Sequence, residues 1–188
     1  MKQTVRIIAG TWRSRKLRFP EAEGLRPSPD RVRETVFNWL RDDVEGASCL
    51  DLYAGSGALG FEAASRGARR VVMVESNPQV IAGLKANCQM LEAGESVEIH
   101  HAPALAYLRG PPEQFDLVFL DPPFQKGWLE SSAEALVTRG WLTSGAFLYM
   151  EAEKNYDFTA LPKALRLYRQ GCAGDVAFRI YQNNGACA

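Results

Sequence analysis

The chain has 188 residues, 46% of them hydrophobic, with 22 lysines and arginines against 22 aspartates and glutamates, which suits one well-buried core and is short for two. No run of about 18 apolar residues occurs and Met1-Lys2-Gln3-Thr4 carries no apolar signal region, so neither membrane insertion nor secretion is expected and the expected location is cytoplasmic. Cys49, Cys88, Cys172 and Cys187 form no C-x-x-C pair, and the only histidines, His100 and His101, are adjacent, which argues against a disulfide framework and against a metal site.

The neutral total hides an asymmetry. Residues 1–41 hold 10 Lys and Arg against 4 Asp and Glu, whereas residues 42–188 hold 12 against 18. A basic extension (1–41) on an acidic body (42–188) is the footprint expected for a polyanion partner, although a solvated basic surface gives the same count. Within the extension, Arg6–Gly10 and Lys16–Phe19 are placed to pair across Thr11 to Arg15 as a basic β-hairpin. Ser28-Pro29-Asp30 then offers a helix cap, a proline at the first helical position and a first-turn acid. Val32, Val36, Phe37 and Leu40 follow at helical spacing, so this helix should pack on the body and hold the extension in place.

From Ser48 onward, short apolar runs alternate with amphipathic stretches, the pattern of β-α units around a parallel sheet. Cys49–Tyr53, Val71–Glu75, Val97–His100 and Phe115–Leu120 read as strands, nearly continuous in apolar character as doubly covered strands are. Helices are expected over 58–66, 78–91, 103–109 and 128–138, with a further strand over 145–151. Ala164–Arg169 and Val176–Tyr181 have no helical pattern between them, so the sheet should close with an antiparallel hairpin. The expectation is an α/β fold with a seven-stranded, mostly parallel sheet of Rossmann-like type, preceded by the basic hairpin and helix. No internal repeat is present.

Two motifs carry chemistry. Asp51-Leu52-Tyr53-Ala54-Gly55-Ser56-Gly57-Ala58-Leu59-Gly60 ends a strand and opens a helix. Glycines there permit positive φ and close backbone approach to a ligand, and the helix N-terminus favours a carboxylate or phosphate. Gly55, Gly57 and Gly60 alone would also suit a dinucleotide, and thus a nicotinamide-dependent oxidoreductase. Asp51 tilts the reading towards S-adenosylmethionine, whose α-amino group gives an acid at the head of the loop something to hold. Glu75 closes the next strand, where a carboxylate accepts hydrogen bonds from ribose hydroxyls, a role that nicotinamide enzymes share.

Asp121-Pro122-Pro123-Phe124 follows the apolar strand Phe115–Leu120, again at the carboxyl edge of the sheet where open α/β folds bind ligands. Its prolines stiffen the backbone and leave carbonyls free. The Asp121 carboxylate and Pro122 carbonyl can then accept both hydrogens of one amino group, while Phe124 offers a ring on which a base stacks. Attack on a sulfonium methyl requires an aromatic amine to leave conjugation, and two acceptors on its hydrogens favour that geometry. Asp121 also offsets the charge arriving on nitrogen, and alignment with the methyl group supplies most of the remaining acceleration. These residues predict methyl transfer to an exocyclic amine of a base, with a non-catalytic RNA-binding assembly factor as the rival from another class.

Taken together, Asp51 to Gly60, Glu75 and Asp121 to Phe124 resemble the Rossmann-like class I methyltransferases that act on amino groups. Arg6–Gly10, Arg13–Leu17, Leu25–Leu40 and Val176–Tyr181 extend the likeness over nearly the whole chain, which resembles the ribosomal small-subunit methyltransferase D family. That resemblance implies N2-methylation of a guanine in 16S ribosomal RNA, with the assembled small subunit as preferred substrate, no metal, no membrane, and a monomeric enzyme. Adenine N6 or cytosine N4 methylation is the nearest alternative. The implied catalytic set is Asp121, Pro122, Pro123 and Phe124. The implied cofactor set is Asp51, Tyr53, Ala54, Gly55, Ser56, Gly57, Gly60, Glu75, Ser76 and Ala104, the last through its backbone amide. Pro103 stands where such enzymes often carry an Asp or Asn for the adenine amine. In the basic extension, Arg6, Arg13, Arg15, Lys16 and Arg18 become phosphate contacts, whose affinity should fall with salt, and Arg26, Arg31 and Arg33 lie closer to the base. Arg31 or Arg33 could instead pair with Asp30 or Glu34 on the helix. Exocyclic amines in a duplex are paired and stacked, so the target must be looped or flipped out.

Overall fold

Strands β1 (Gln3–Arg6) and β2 (Lys16–Phe19) open the computed structural model, which describes residues 3–22, 27–123 and 127–185. They pair antiparallel, with Gln3 opposite Phe19 and Arg6 opposite Lys16. The sequence places the first strand later, over Arg6–Gly10. That stretch leaves the ladder because the N–H groups of Ile8 and Ala9 donate to the Glu62 carboxylate, at 2.7 and 3.0 Å. Gly10 then docks at φ +81, so close to the body that a Cβ would lie 1.7 Å from the Ser65 carbonyl oxygen.

Helix α1 (Asp30–Trp39) buries Val32, Val36 and Phe37, with Leu40 buried just beyond its end, as their spacing requires. Its start corrects the sequence reading. Pro29 occupies the N-cap position with no capping side chain, and the Ser28 hydroxyl donates instead to Glu151. A buried carboxylate is the stronger attraction, since charge-assisted hydrogen bonds are roughly twice as strong as neutral ones. A single turn, α2 (Arg41–Val44), leads into the body.

The body runs β3 (Ser48–Asp51), α3 (Ala58–Ser65), β4 (Arg70–Glu75), α4 (Pro78–Leu91), β5 (Val97–His101), α5 (Ala104–Tyr107), β6 (Phe115–Leu120), α6 (Trp128–Thr138), β7 (Leu142–Glu153), β8 (Leu165–Ala173) and β9 (Val176–Asn183). Strand order is β5-β4-β3-β6-β7-β9-β8. The first five in that order are parallel, and β9 runs antiparallel between β7 and β8. The closing hairpin and the seven-stranded sheet are therefore as the sequence predicts. Strand β7 starts three residues earlier than its apolar run, where Gly145 at φ +81 and a register shift opposite Phe115 and Leu117 mark an irregularity that the pattern conceals. Helix α5 is one turn rather than the expected seven residues.

Alternate residues of the central strands face opposite layers. Cys49, Val71, Met73, Leu117, Phe119 and Tyr149 share a core with α1, α3, α4 and the hairpin residues Val5, Ile7, Leu17 and Phe19. Leu50, Val72, Val74, Val118, Leu120 and Leu148 share the other with α5, α6 and Trp141. Each such side chain contributes about 1.5–3 kcal/mol on burial. The exposed edge of β2 is closed by the buried Asn87 of α4, which accepts from Arg18 N–H at 3.1 Å and donates to its carbonyl at 3.0 Å. The chain path reverses between β3 and β6, so the carboxyl ends of these two strands flank the switch point where ligands of open α/β sheets bind. Among the described residues, no helix is long and apolar enough to cross a membrane.

Candidate active site

Asp51 ends β3 with its side chain buried, and its Oδ2 accepts the Gly60 N–H at 3.0 Å. Glycine at 60 leaves room for this contact, because a Cβ there would stand 2.5 Å from Met73 Cε and 3.1 Å from the Asp51 carboxylate. Between them Tyr53, Ala54, Gly55, Ser56 and Gly57 turn the chain into α3, with Gly55 and Gly57 at φ +49 and +76. Ser56 is buried, and its hydroxyl accepts the Ala58 N–H at 3.3 Å. Glu75, at the end of β4, accepts Gly55 N–H at 3.0 Å on one oxygen and the N–H groups of Ser76 and Asn77, each at 2.8 Å, on the other. It ties the glycine turn to the start of α4, which Asn77 caps ahead of Pro78. Ala104 begins α5, buried, directly after Pro103.

Burial raises the Asp51 pKa to about 7, with the charge of Glu75 adding and the amide bond from Gly60 opposing. Two carboxylates at adjacent strand ends, with turn amides between them, complement a ligand bearing an ammonium, a carboxylate and a vicinal diol. S-adenosylmethionine presents that set. Tyr53 makes a further connection from the glycine turn. Its hydroxyl meets Ser132 Oγ of α6 at 2.7 Å and its ring stacks on Trp128 at 6.2 Å between centroids, so it joins the glycine turn to the wall of a second cleft.

That cleft, about 260 Å³, is lined by Pro122, Pro123, Trp128, Glu130, Glu151 and Tyr156 among others. Pro122 is buried and Pro123 exposed, while Phe124 lies outside the described residues. Asp121 leaves β6 at its head. Phe119 pairs with Tyr149 and Leu120 with Met150, so one further step along both strands brings Asp121 alongside Glu151. Enclosure raises the Asp121 pKa well above the usual carboxylate range, and the charges of Glu151 and Asp51 add to it. Glu151 is 4% exposed, and its Oε1 accepts two hydroxyls, from Ser28 and, at 2.5 Å, from Tyr149. Its pKa is raised by burial, against the two hydroxyl donors. Glu130 Oε2 and the Tyr156 hydroxyl are both buried in this cleft, where burial first and then the neighbouring Glu130 carboxylate push the Tyr156 pKa up. The sequence reading named neither Glu151 nor Ser28 as site residues. The available signal for Glu151 was the one that found Asp51 and Glu75, an acid at the end of an apolar strand run, here Phe147–Met150.

The basic extension divides in two. Arg13, Lys16, Arg18 and Arg31 are exposed. Arg6 is also exposed but approaches Asp30 at 3.5 Å, and Arg15 donates to the Met90 carbonyl at 2.7 Å. Arg6, Ile8, Arg13, Ser14, Asp30 and Glu34 line a surface depression of about 200 Å³. Arg33 is different and follows the ion-pair alternative with Asp30 instead of the RNA contact. It is 0% exposed, and its guanidinium reaches Asp30 at 2.6 Å, Glu62 at 3.5 Å, and the carbonyls of Arg6 and Ser28 at 2.8 and 3.2 Å. With each of its three nitrogens bonded to a protein acceptor, it fastens the extension to α3. Arg26 lies outside the described residues.

A sheet in this order, with one antiparallel strand near its edge, an acid-and-glycine turn after β3 and an acid-proline corner after β6, defines a Rossmann-like methyltransferase fold. The family described as Conserved hypothetical protein 95 matches residues 5–182. Ribosomal RNA small subunit methyltransferase D of Escherichia coli is 43% identical over 178 residues, covering 95% of this chain and 89% of that protein. The Haemophilus influenzae protein of the same name is 44% identical over 185 residues, covering 97% and 95%. A solved methyltransferase from Escherichia coli superposes with a TM-score of 0.89 at 42% identity, over 97% of this chain and 99% of that one. The chain belongs to the ribosomal RNA small subunit methyltransferase D family.

Proposed function

We propose that the protein transfers a methyl group from S-adenosylmethionine to the exocyclic N2 amine of a guanine in 16S ribosomal RNA of the small subunit. One observation carries the reading. The Asp121-Pro122 corner and the Asp51–Glu75 cofactor turn stand at the carboxyl ends of β6 and β3, the two strands that flank the switch point. Bound there, S-adenosylmethionine supplies an electrophilic methyl group on sulfonium. Asp51 takes the ammonium end, Glu75 with Ser76 the ribose side, and the turn Gly55-Ser56-Gly57 ahead of α3 lies against the carboxylate. The Asp121 carboxylate and Pro122 carbonyl accept the two amine hydrogens, holding the nitrogen lone pair out of conjugation and in line with the methyl carbon. As the nitrogen gains charge, Asp121 offsets it, and its raised pKa suits it to receive the proton that nitrogen then loses.

Ribosomal RNA is the substrate that the family names imply, and the exposed Arg6, Arg13, Arg15, Lys16, Arg18 and Arg31 of the extension provide phosphate contacts. In this reading residues 1–41 grip RNA and residues 42–188 perform the transfer, as a monomer working in the cytoplasm beside the ribosome. The test is nucleoside mass spectrometry of unmodified small subunits incubated with the protein and S-adenosylmethionine. N2-methylguanosine is expected, and methylated adenosine or cytidine in its place would overturn the base assignment.

A further inference from the structure

We propose that Glu151 is the residue that makes the site select guanine, by accepting the N1–H that lies beside the N2 amine. This rests on the N2-guanine reading above. Glu151 is 4% exposed yet lines the cleft at Pro122 and Pro123. Its Oε1 is held by the hydroxyls of Ser28 and Tyr149, while among the described residues no donor bonds Oε2. The carboxylate is thus clamped at one oxygen and offers the other to the cleft. The strand register sets it next to Asp121, the group that takes the amine.

Base chemistry then decides the preference. Guanine presents N2–H and N1–H as adjacent donors, and two neighbouring carboxylates match them. Adenine N6 and cytosine N4 are each flanked by a ring nitrogen that carries a lone pair, N1 and N3 respectively, which would face the Glu151 oxygen acceptor to acceptor. Sites built to hydrogen-bond a particular group reject analogues that lack it far more strongly than apolar pockets reject a missing methylene. The clamp also fixes the polarity. Burial raises the Glu151 pKa, and the two hydroxyls donating to Oε1 work against that rise, towards the ionised form in which Glu151 can only accept. Ser28 belongs to the basic extension, two residues ahead of α1, so the element that grips RNA supplies one of the two donors that orient the base reader.

The test uses small subunits reconstituted on 16S RNA carrying either guanine or 2-aminopurine at the methylated position. 2-Aminopurine keeps the N2 amine but replaces N1–H with a lone pair. The native protein should methylate guanine with a kcat/KM roughly 100-fold above 2-aminopurine, the scale of a charged acceptor left facing a lone pair. Glu151→Gln, whose amide can donate to that lone pair, should lose rate on guanine and bring the ratio to within roughly 10-fold by improving 2-aminopurine relative to guanine. A role confined to folding would lower both substrates together and leave the ratio unchanged. Equal native rates on the two bases would overturn the inference, even if Glu151→Gln proved unfoldable. So would a native ratio retained in a folded Glu151→Gln protein. Failure of the native protein to methylate guanine at all, with methylation elsewhere, would sink the underlying N2-guanine reading, a separate outcome.

Discussion

Replacing Arg33 with methionine separates a structural arginine from an RNA-binding one. The guanidinium is wholly enclosed and makes its shortest contacts to Asp30 at 2.6 Å and to the Arg6 carbonyl at 2.8 Å. Methionine fills much of the volume but leaves those acceptors without a donor. Removing one member of a buried ion pair typically costs about 3–5 kcal/mol. Glu62 keeps the Arg66 guanidinium at 2.8 Å and the amides of Ile8 and Ala9, so a loss near the lower end, about 3 kcal/mol, is expected. For a chain of this size roughly 2–4 °C of Tm follows each kcal/mol, hence a fall of about 10 °C in a circular-dichroism melt. Arg31→Met, at an exposed neighbour on the same helix, should shift stability by under about 0.5 kcal/mol while weakening RNA binding. If Arg33→Met melted within about 2 °C of the native protein and lost RNA affinity as Arg31→Met does, the fastening role would be wrong.

Other expectations follow from single positions. Gly10→Ala must place a Cβ on the Ser65 carbonyl at φ +81, whereas Gly94, at φ +59, faces open space. Urea denaturation should find Gly94→Ala about 1 kcal/mol less stable and Gly10→Ala several-fold worse, and equal losses would contradict the docked hairpin. Asp51 has a folded pKa raised from 3.8 to about 7, so the folded state holds that proton more firmly than the unfolded chain. Its contribution to stability is complete below pH 4 and is lost as pH rises through 7. Cofactor binding runs the other way, because the ammonium needs the ionised acid. Titration calorimetry should show S-adenosylmethionine affinity falling about tenfold per pH unit below 7 and level above it, and a profile flat from pH 5.5 to 8.5 would remove Asp51 from the binding set.

The sheet was legible because its strands are doubly covered. Cys49–Leu50, Val71–Val74 and Leu117–Leu120 are continuous apolar runs, Gly55 and Gly57 turn at positive φ, and a Cβ at Gly57 or Gly60 would meet neighbouring side chains within 3 Å. Local sequence failed where a distant partner decides the structure. Ser28 has the composition of a cap, but its hydroxyl is claimed by Glu151, 123 residues away. Ile8 and Ala9 have strand-forming neighbours, but their amides turn to Glu62 on α3. Arg33 sits among arginines that face solvent and differs from them only because the hairpin folds over it. Charge count could not separate Arg33 from Arg31, since both lie on α1 and only packing distinguishes them.

The central claim is that the Asp121-Pro122 corner performs the transfer chemistry on a cofactor held elsewhere. Asp121→Ala should therefore be assayed for two quantities on one preparation, the S-adenosylmethionine Kd and the rate of methyl transfer to unmodified small subunits. The account predicts a Kd within about threefold of native with transfer reduced by roughly a hundredfold or more, as for removal of a positioned transition-state acceptor. Transfer at the native rate with the variant folded would contradict it.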